Sequence, residues 1–209
     1  MKQFLIATLF SLFFAFFLSA QIKNKFSGIV GGDSAKVIAD GADRIYVFPK
    51  MLLYNRYNQN KNGEELEVFF PYNGVDLDIA KFQVSSLKSE ASVFTATPRD
   101  SLYMFGVKGH YLFLEKRDGS YDKRIVIQDL KNQRKIIDSL YSVPIVLKKD
   151  GTFLYYKVTR TKKVIESLCP QSKNWFASGY KVLAAGQMKL SLSSGREYFT
   201  GKKICRIRS

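Results

Sequence analysis

KGHYLFLEKRDGSYDKRIVIQDLKNQRKII, residues 108–137, is the stretch that decides the fold class. Gly109 opens an aromatic run, Asp118 and Gly119 interrupt it, a β-branched run follows and ends in Asp129 and Leu130, and Asn132 turns the chain back toward Ile136 and Ile137. Short runs rich in aromatic and β-branched residues, bounded by Gly, Asn and Asp, are the pattern of strands joined by turns.

The same pattern extends in both directions. Further strands are expected at 143–147, 153–159 and 188–193. In the last of these, Met188, Leu190 and Leu192 share one face and Lys189, Ser191 and Ser193 the other. Ser194 and Gly195 then turn the chain toward Tyr198 and Phe199. On the N-terminal side, strands are expected at 45–48, 51–54, 66–70, 93–96 and 102–107, and Ala80, Phe82 and Val84 alternate with Lys81 and Gln83. NQNKNG at 58–63 reads as an exposed loop ending in the hairpin dipeptide Asn-Gly. Residues 28–41, rich in small side chains, are expected to be irregular. Helix signals are sparse: 162–168 has room for two turns before Pro170 stops them, and 175–185 fits helix or strand. The chain is therefore expected to be all-β and antiparallel, with one β-rich domain over residues 21–209.

About forty residues after Gly109 the order restarts: Lys149, Asp150 and Gly151 lead into Thr152, Phe153, Leu154, Tyr155 and Tyr156. A Gly-initiated aromatic strand, then a strand ending in a charged residue and Leu, then a turn, resembles the blades of β-propeller repeat proteins. The resemblance covers at most residues 102–163, under a third of the chain. It implies propeller-like blades. The chain lacks the Trp-Asp dipeptide of that family, and 209 − 20 = 189 residues hold only about four blades of roughly 42 residues. A β-sandwich or other antiparallel meander would produce the same spacing and stands as the alternative.

Residues 1–20, MKQFLIATLFSLFFAFFLSA, have the three parts of a secretory signal peptide: a basic start at Lys2, an apolar core from Phe4 to Leu18, and small Ser19 and Ala20 before the cut. The apolar run is fifteen residues long, short of the roughly twenty that a spanning helix needs. Cleavage is expected between Ala20 and Gln21, with export to the periplasm or the extracellular medium and no integral membrane span afterwards. The only cysteines are Cys169 and Cys205, which an oxidising compartment allows to pair. Two cysteines and one histidine at these spacings do not suit a zinc site, and no metal or other cofactor is expected.

The chain carries 33 Lys and Arg against 18 Asp and Glu, and losing Lys2 leaves 32 − 18 = +14. Such an excess attracts anionic polysaccharide, other anionic envelope components or an acidic protein partner; nucleic acid is not expected outside the cell. Positive charge is densest at Lys148, Lys149, Lys157, Arg160, Lys162 and Lys163, and again at Arg196, Lys202, Lys203, Arg206 and Arg208. With Tyr155 and Tyr156 beside them, Lys148, Lys157, Arg160, Arg196 and Lys203 are the candidate ligand-binding residues, because cations bordering aromatic faces hold acidic groups while the rings stack. A solvated charged face is the competing reading.

Catalytic signals are weak. Asp76 and Asp78, near Glu64 and Glu65, would point the same way on a strand and are the basis of an alternative reading as an exported hydrolase. Gly31, Gly32, Asp33 and Ser34 suggest a phosphate-cradling turn but lack the Gly-Lys-Ser/Thr ending. His110 beside Gly109 has no Ser or Asp motif next to it. The sequence thus points to an exported, non-catalytic binding module.

Overall fold

The computed structural model describes residues 25–26, 29–40, 42–56, 63–71, 92–117 and 123–207. Six strands, β1 (Lys25–Phe26), β2 (Ala35–Asp40), β3 (Asp43–Phe48), β4 (Met51–Arg56), β5 (Glu65–Phe69) and β6 (Phe94–Ala96), form one antiparallel meander. Seven more form a second: β7 (Leu102–Lys108), β8 (Tyr111–Arg117), β9 (Lys123–Asp129), β10 (Arg134–Leu147), β11 (Thr152–Thr159), β12 (Val182–Ser191) and β13 (Glu197–Ile207). Helices α1 (Lys162–Leu168) and α2 (Ser172–Ala177) fill the connection from β11 to β12.

Alternation assigns each face. Met51 and Leu53 of β4, Leu66 and Val68 of β5, Leu112 and Leu114 of β8 and Val126 of β9 belong to one apolar cluster, so the first sheet lies against the β7–β9 end of the second. The intervening residues of β8 and β9, Phe113, Ile125 and Ile127, point the other way, into a cluster with Phe153 and Tyr155 of β11 and Leu190 of β12. Both faces of β8 and β9 are therefore buried, and each fully buried Leu, Ile or Phe there contributes about 1.5–3 kcal/mol.

The second sheet is strongly curled. β8 and β11 are three strand spacings apart, roughly 14 Å in a flat sheet, yet the Phe113 and Phe153 ring centroids lie 5.5 Å apart. The bend is in β10, which pairs with β9 from Arg134 to Tyr141 and with β11 from Tyr141 to Leu147, with irregular register between Ser142 and Val146.

Residues 29–33 close this curl. Ile29 sits in the cluster under the curled sheet; Asp33 N–H donates to the Val107 carbonyl of β7, and Leu147 N–H of β10 donates to the Val30 carbonyl. Gly31 has φ +85°, and a Cβ there would stand 1.9 Å from the Leu147 carbonyl oxygen. Lys108 Nζ reaches Asp33 Oδ1 at 3.0 Å and Gly109 N–H donates to its Oδ2 at 2.6 Å. The glycine-rich turn is thus a backbone bridge between β7 and β10, with Asp33 engaged by its neighbours.

Residues 28–41 are not irregular throughout as expected. β2 forms because Val37 and Ile38 pair with Tyr46 and Ile45 of β3, tertiary pairing that outweighs weak local propensity. The stretch 175–185 divides: α2 ends at Ala177 and β12 begins at Val182. Helix 162–168 forms over the expected span. The expectations for residues 1–20, for loop residues 58–62, for Asp76 and Asp78 and for strand 80–84 lie outside the described residues.

Candidate functional site

Cross-strand partners in an antiparallel sheet project from the same face. Arg117 of β8 pairs with Lys123 of β9, Lys123 with Tyr141 of β10, Tyr141 with Lys157 of β11, Lys157 with Gly186 of β12, and Gly186 with Lys203 of β13. A single row therefore carries four cations across six strands. It runs over the face that holds the Phe113 and Phe153 cluster.

Two carboxylates organise the row. Glu115 is buried; it accepts hydrogen bonds from Tyr141 Oη and from Arg117 Nε at 2.5 Å, and Lys123 Nζ lies 3.3 Å away. Burial alone pushes its carboxyl up, but the Tyr141, Arg117 and Lys123 contacts prevail and hold it below the usual range. Glu197 accepts from Tyr155 Oη and from Lys157 Nζ at 2.7 Å. Burial and these carboxylates raise both tyrosine phenols, which stay protonated as donors. Arg117 also lies over the Tyr103 ring, 4.5 Å from its centroid.

The row has a break at Gly186, and an aromatic side chain occupies it. A Cβ at Gly186 would stand 2.9 Å from Cε2 of Phe199, so the Phe199 ring edge rests on the glycine. Phe199 is 51% exposed. Lys157 and Lys203 flank that glycine, their backbones two strand spacings apart, roughly 10 Å. Lys203 makes no ion pair among the described residues. One wall is α1, whose Leu168 approaches Gly186. Cys169, which follows the last residue of α1, is bonded to Cys205, two residues beyond Lys203 on β13, with a Cα–Cα separation of 5.8 Å.

The candidate cations read from the sequence fall in three places, and the two candidate tyrosines on opposite faces of β11. Lys157 and Lys203 come together at Gly186. Lys148 and Arg196 lie in the β10–β11 and β12–β13 turns, beside the Thr152 and Ser191 pair, roughly 17 Å along β11 from Lys157. Arg160 follows the end of β11 and is exposed. Tyr155 is fully buried and serves Glu197 from below, while Tyr156 projects from the opposite face with Ser142 and Gln187. The exposed aromatic surface among the cations is Phe199, missed because strand spacing alone does not show which ring lies over a glycine.

A second recess lies where turns of the two sheets meet. About 860 Å³ in volume, it is bordered by Lys50, His110 and Lys131, with Phe70, Val93 and Leu130 among its apolar surfaces. His110 Nε2 stands 3.5 Å from Oδ1 of the buried Asp129, and its ring lies 4.1 Å from that of Tyr111. Burial opposes ionisation of Asp129, but hydrogen bonds from Asn132 and Arg134, together with the electrostatic influence of nearby His110, hold its carboxyl below the usual range. Among the hydrolase candidates, Glu64 accepts the Met104 N–H at 2.5 Å, and Glu65 is paired with Arg56 at 2.8 Å. Among the described residues, no group of three or more His, Cys, Asp and Glu is placed to hold a metal ion, and no helix is long and apolar enough to cross a membrane.

Compared with protein-family models, curated proteins and solved structures, the chain matches none.

Proposed function

We propose that this protein is an exported binding module for anionic polysaccharide, held across the surface formed by Lys157, Phe199 and Lys203. The observation that carries the reading is the exposed Phe199 ring seated on Gly186, between two lysines in one cross-strand row. A sugar ring lies flat on an aromatic face, and the acidic substituents of an anionic polysaccharide need cations to either side of that ring. Arg117 and Lys123 continue the row, which suits a chain of repeated charges better than a single small anion. The leader-like residues 1–20 and the +14 balance support the same setting, a polyanion met outside the cytoplasm.

Calorimetric titration of residues 21–209 with polygalacturonate, against neutral dextran, tests this. Because a strongly basic protein holds any polyanion loosely at low salt, the comparison that matters is between variants of equal charge. Lys203→Glu is expected to weaken polygalacturonate binding several-fold more than Lys148→Glu, which makes the same charge change in a distant turn. Equal losses would reduce the interaction to net charge and remove the site.

A further inference from the structure

The recess between the sheets is independent of the cation row, and its chemistry is different. Three turns bring its polar groups together: Lys50 from between β3 and β4, His110 from between β7 and β8, and Lys131 from between β9 and β10. Neither Lys50 nor Lys131 makes an ion pair among the described residues. Asp129, next in sequence to the lining residue Leu130, has a side chain 1% exposed and is occupied by Asn132, Arg134 and His110, so among the described residues it pairs with neither lysine. His110 is fixed in orientation by Asp129 on one side and the Tyr111 ring on the other. Phe70 and Val93, which flank β5 and β6, and Leu130, which follows β9, supply apolar surface, and Gln133 adds a further polar group.

We propose that this recess binds a small amphipathic carboxylate, with its acidic head among Lys50, Lys131 and His110 and its apolar body against Phe70, Val93 and Leu130. The volume of about 860 Å³ lies within the usual range for small-molecule sites, which join a mostly apolar lining to a few convergent polar groups. Two ammonium groups that make no ion pair among the described residues, beside apolar side chains in the same recess, favour a ligand that carries both features, because either part alone forgoes half of the contacts. A polymer is not favoured here, since the cations border one recess rather than continue in a row.

Calorimetry with three probes separates the parts: 4-phenylbutyrate carries head and body, acetate the head alone, and 4-phenylbutan-1-ol the body alone. The expected result is saturable binding of 4-phenylbutyrate, about tenfold or more tighter than either control. The Lys50→Ala/Lys131→Ala double variant is expected to lose about tenfold at unchanged Tm, since both lysines are exposed and removing them forfeits charge-assisted hydrogen bonds to the ligand. Lys203→Glu is expected to leave this binding unchanged. Absence of saturable 4-phenylbutyrate binding, equal affinity for the three probes, or full affinity in the double variant would each overturn the assignment.

Discussion

Replacing Gly31 with alanine tests how the curled sheet is closed. At φ +85° an L-residue costs about 1–2 kcal/mol in backbone strain. The added methyl would also stand 1.9 Å from the Leu147 carbonyl oxygen, a backbone atom that cannot rotate aside. The bridge must then shift, weakening the hydrogen bonds at Val30 and Val107 and drawing Ile29, 3% exposed, from its cluster. Loss of that burial adds about 1.5–3 kcal/mol, for a total of about 2.5–5 kcal/mol. In a chain of this length that lowers Tm by roughly 10 °C. Gly151 supplies the control: its φ is +78°, but a Cβ there meets nothing within 4 Å, so Gly151→Ala should cost only the strain of about 1–2 kcal/mol. Thermal unfolding followed by circular dichroism measures both variants. Equal losses would refute the bridge, and a wild-type Tm raised by phosphate but unmoved by phosphate in Gly31→Ala would restore the phosphate-turn reading of residues 31–34.

Three further outcomes follow from the same contacts. The Cys169→Ser/Cys205→Ser variant releases a cross-link spanning 36 residues and should lose up to about 4 kcal/mol in denaturant titrations, with amide exchange rising first in α1. Glu115 has a folded pKa below its unfolded value, so its contribution is complete above the unfolded pKa, near 4.3, and fades as pH falls through the folded value; Glu115→Gln should cost about 1–3 kcal/mol at pH 7, and its denaturation midpoint should fall less steeply than the wild type's below pH 5. Gly186→Ala should leave Tm unchanged or slightly higher, because its backbone is not left-handed and the atom it meets is the edge of an exposed ring, but displacing Phe199 should weaken polygalacturonate binding by about 1–2 kcal/mol, roughly 5–30-fold.

The fold class was legible because the strands of the second sheet are written locally: aromatic and β-branched runs from 102 to 159, each stopped by Gly, Asn or Asp. Helix α1 was legible from Pro170. β2 was not, since Ala35, Lys36 and Ala39 carry no strong strand preference and extend because β1 and β3 lie on either side of them. Lys157 and Lys203 could be named from the sequence as basic residues near aromatics, but their meeting depends on the register of β11, β12 and β13, which no local pattern encodes. Tyr155 and Tyr156 show the same limit, since adjacent residues of a strand face opposite ways and only the curl of the sheet decides that Tyr155 is the buried one. The recess at His110 is assembled from turns far apart in the chain, and Asp129, its orienting partner, reads in sequence as no more than the end of a strand.

The most direct test of the central claim is polygalacturonate binding to residues 21–209 at physiological salt, compared between wild type and Phe199→Ala, a variant that changes no charge. Saturable binding that weakens roughly 5–30-fold on loss of the ring is the predicted result. Binding of equal strength in the two proteins would contradict the account, because the polysaccharide would then be answering to the positive charge alone.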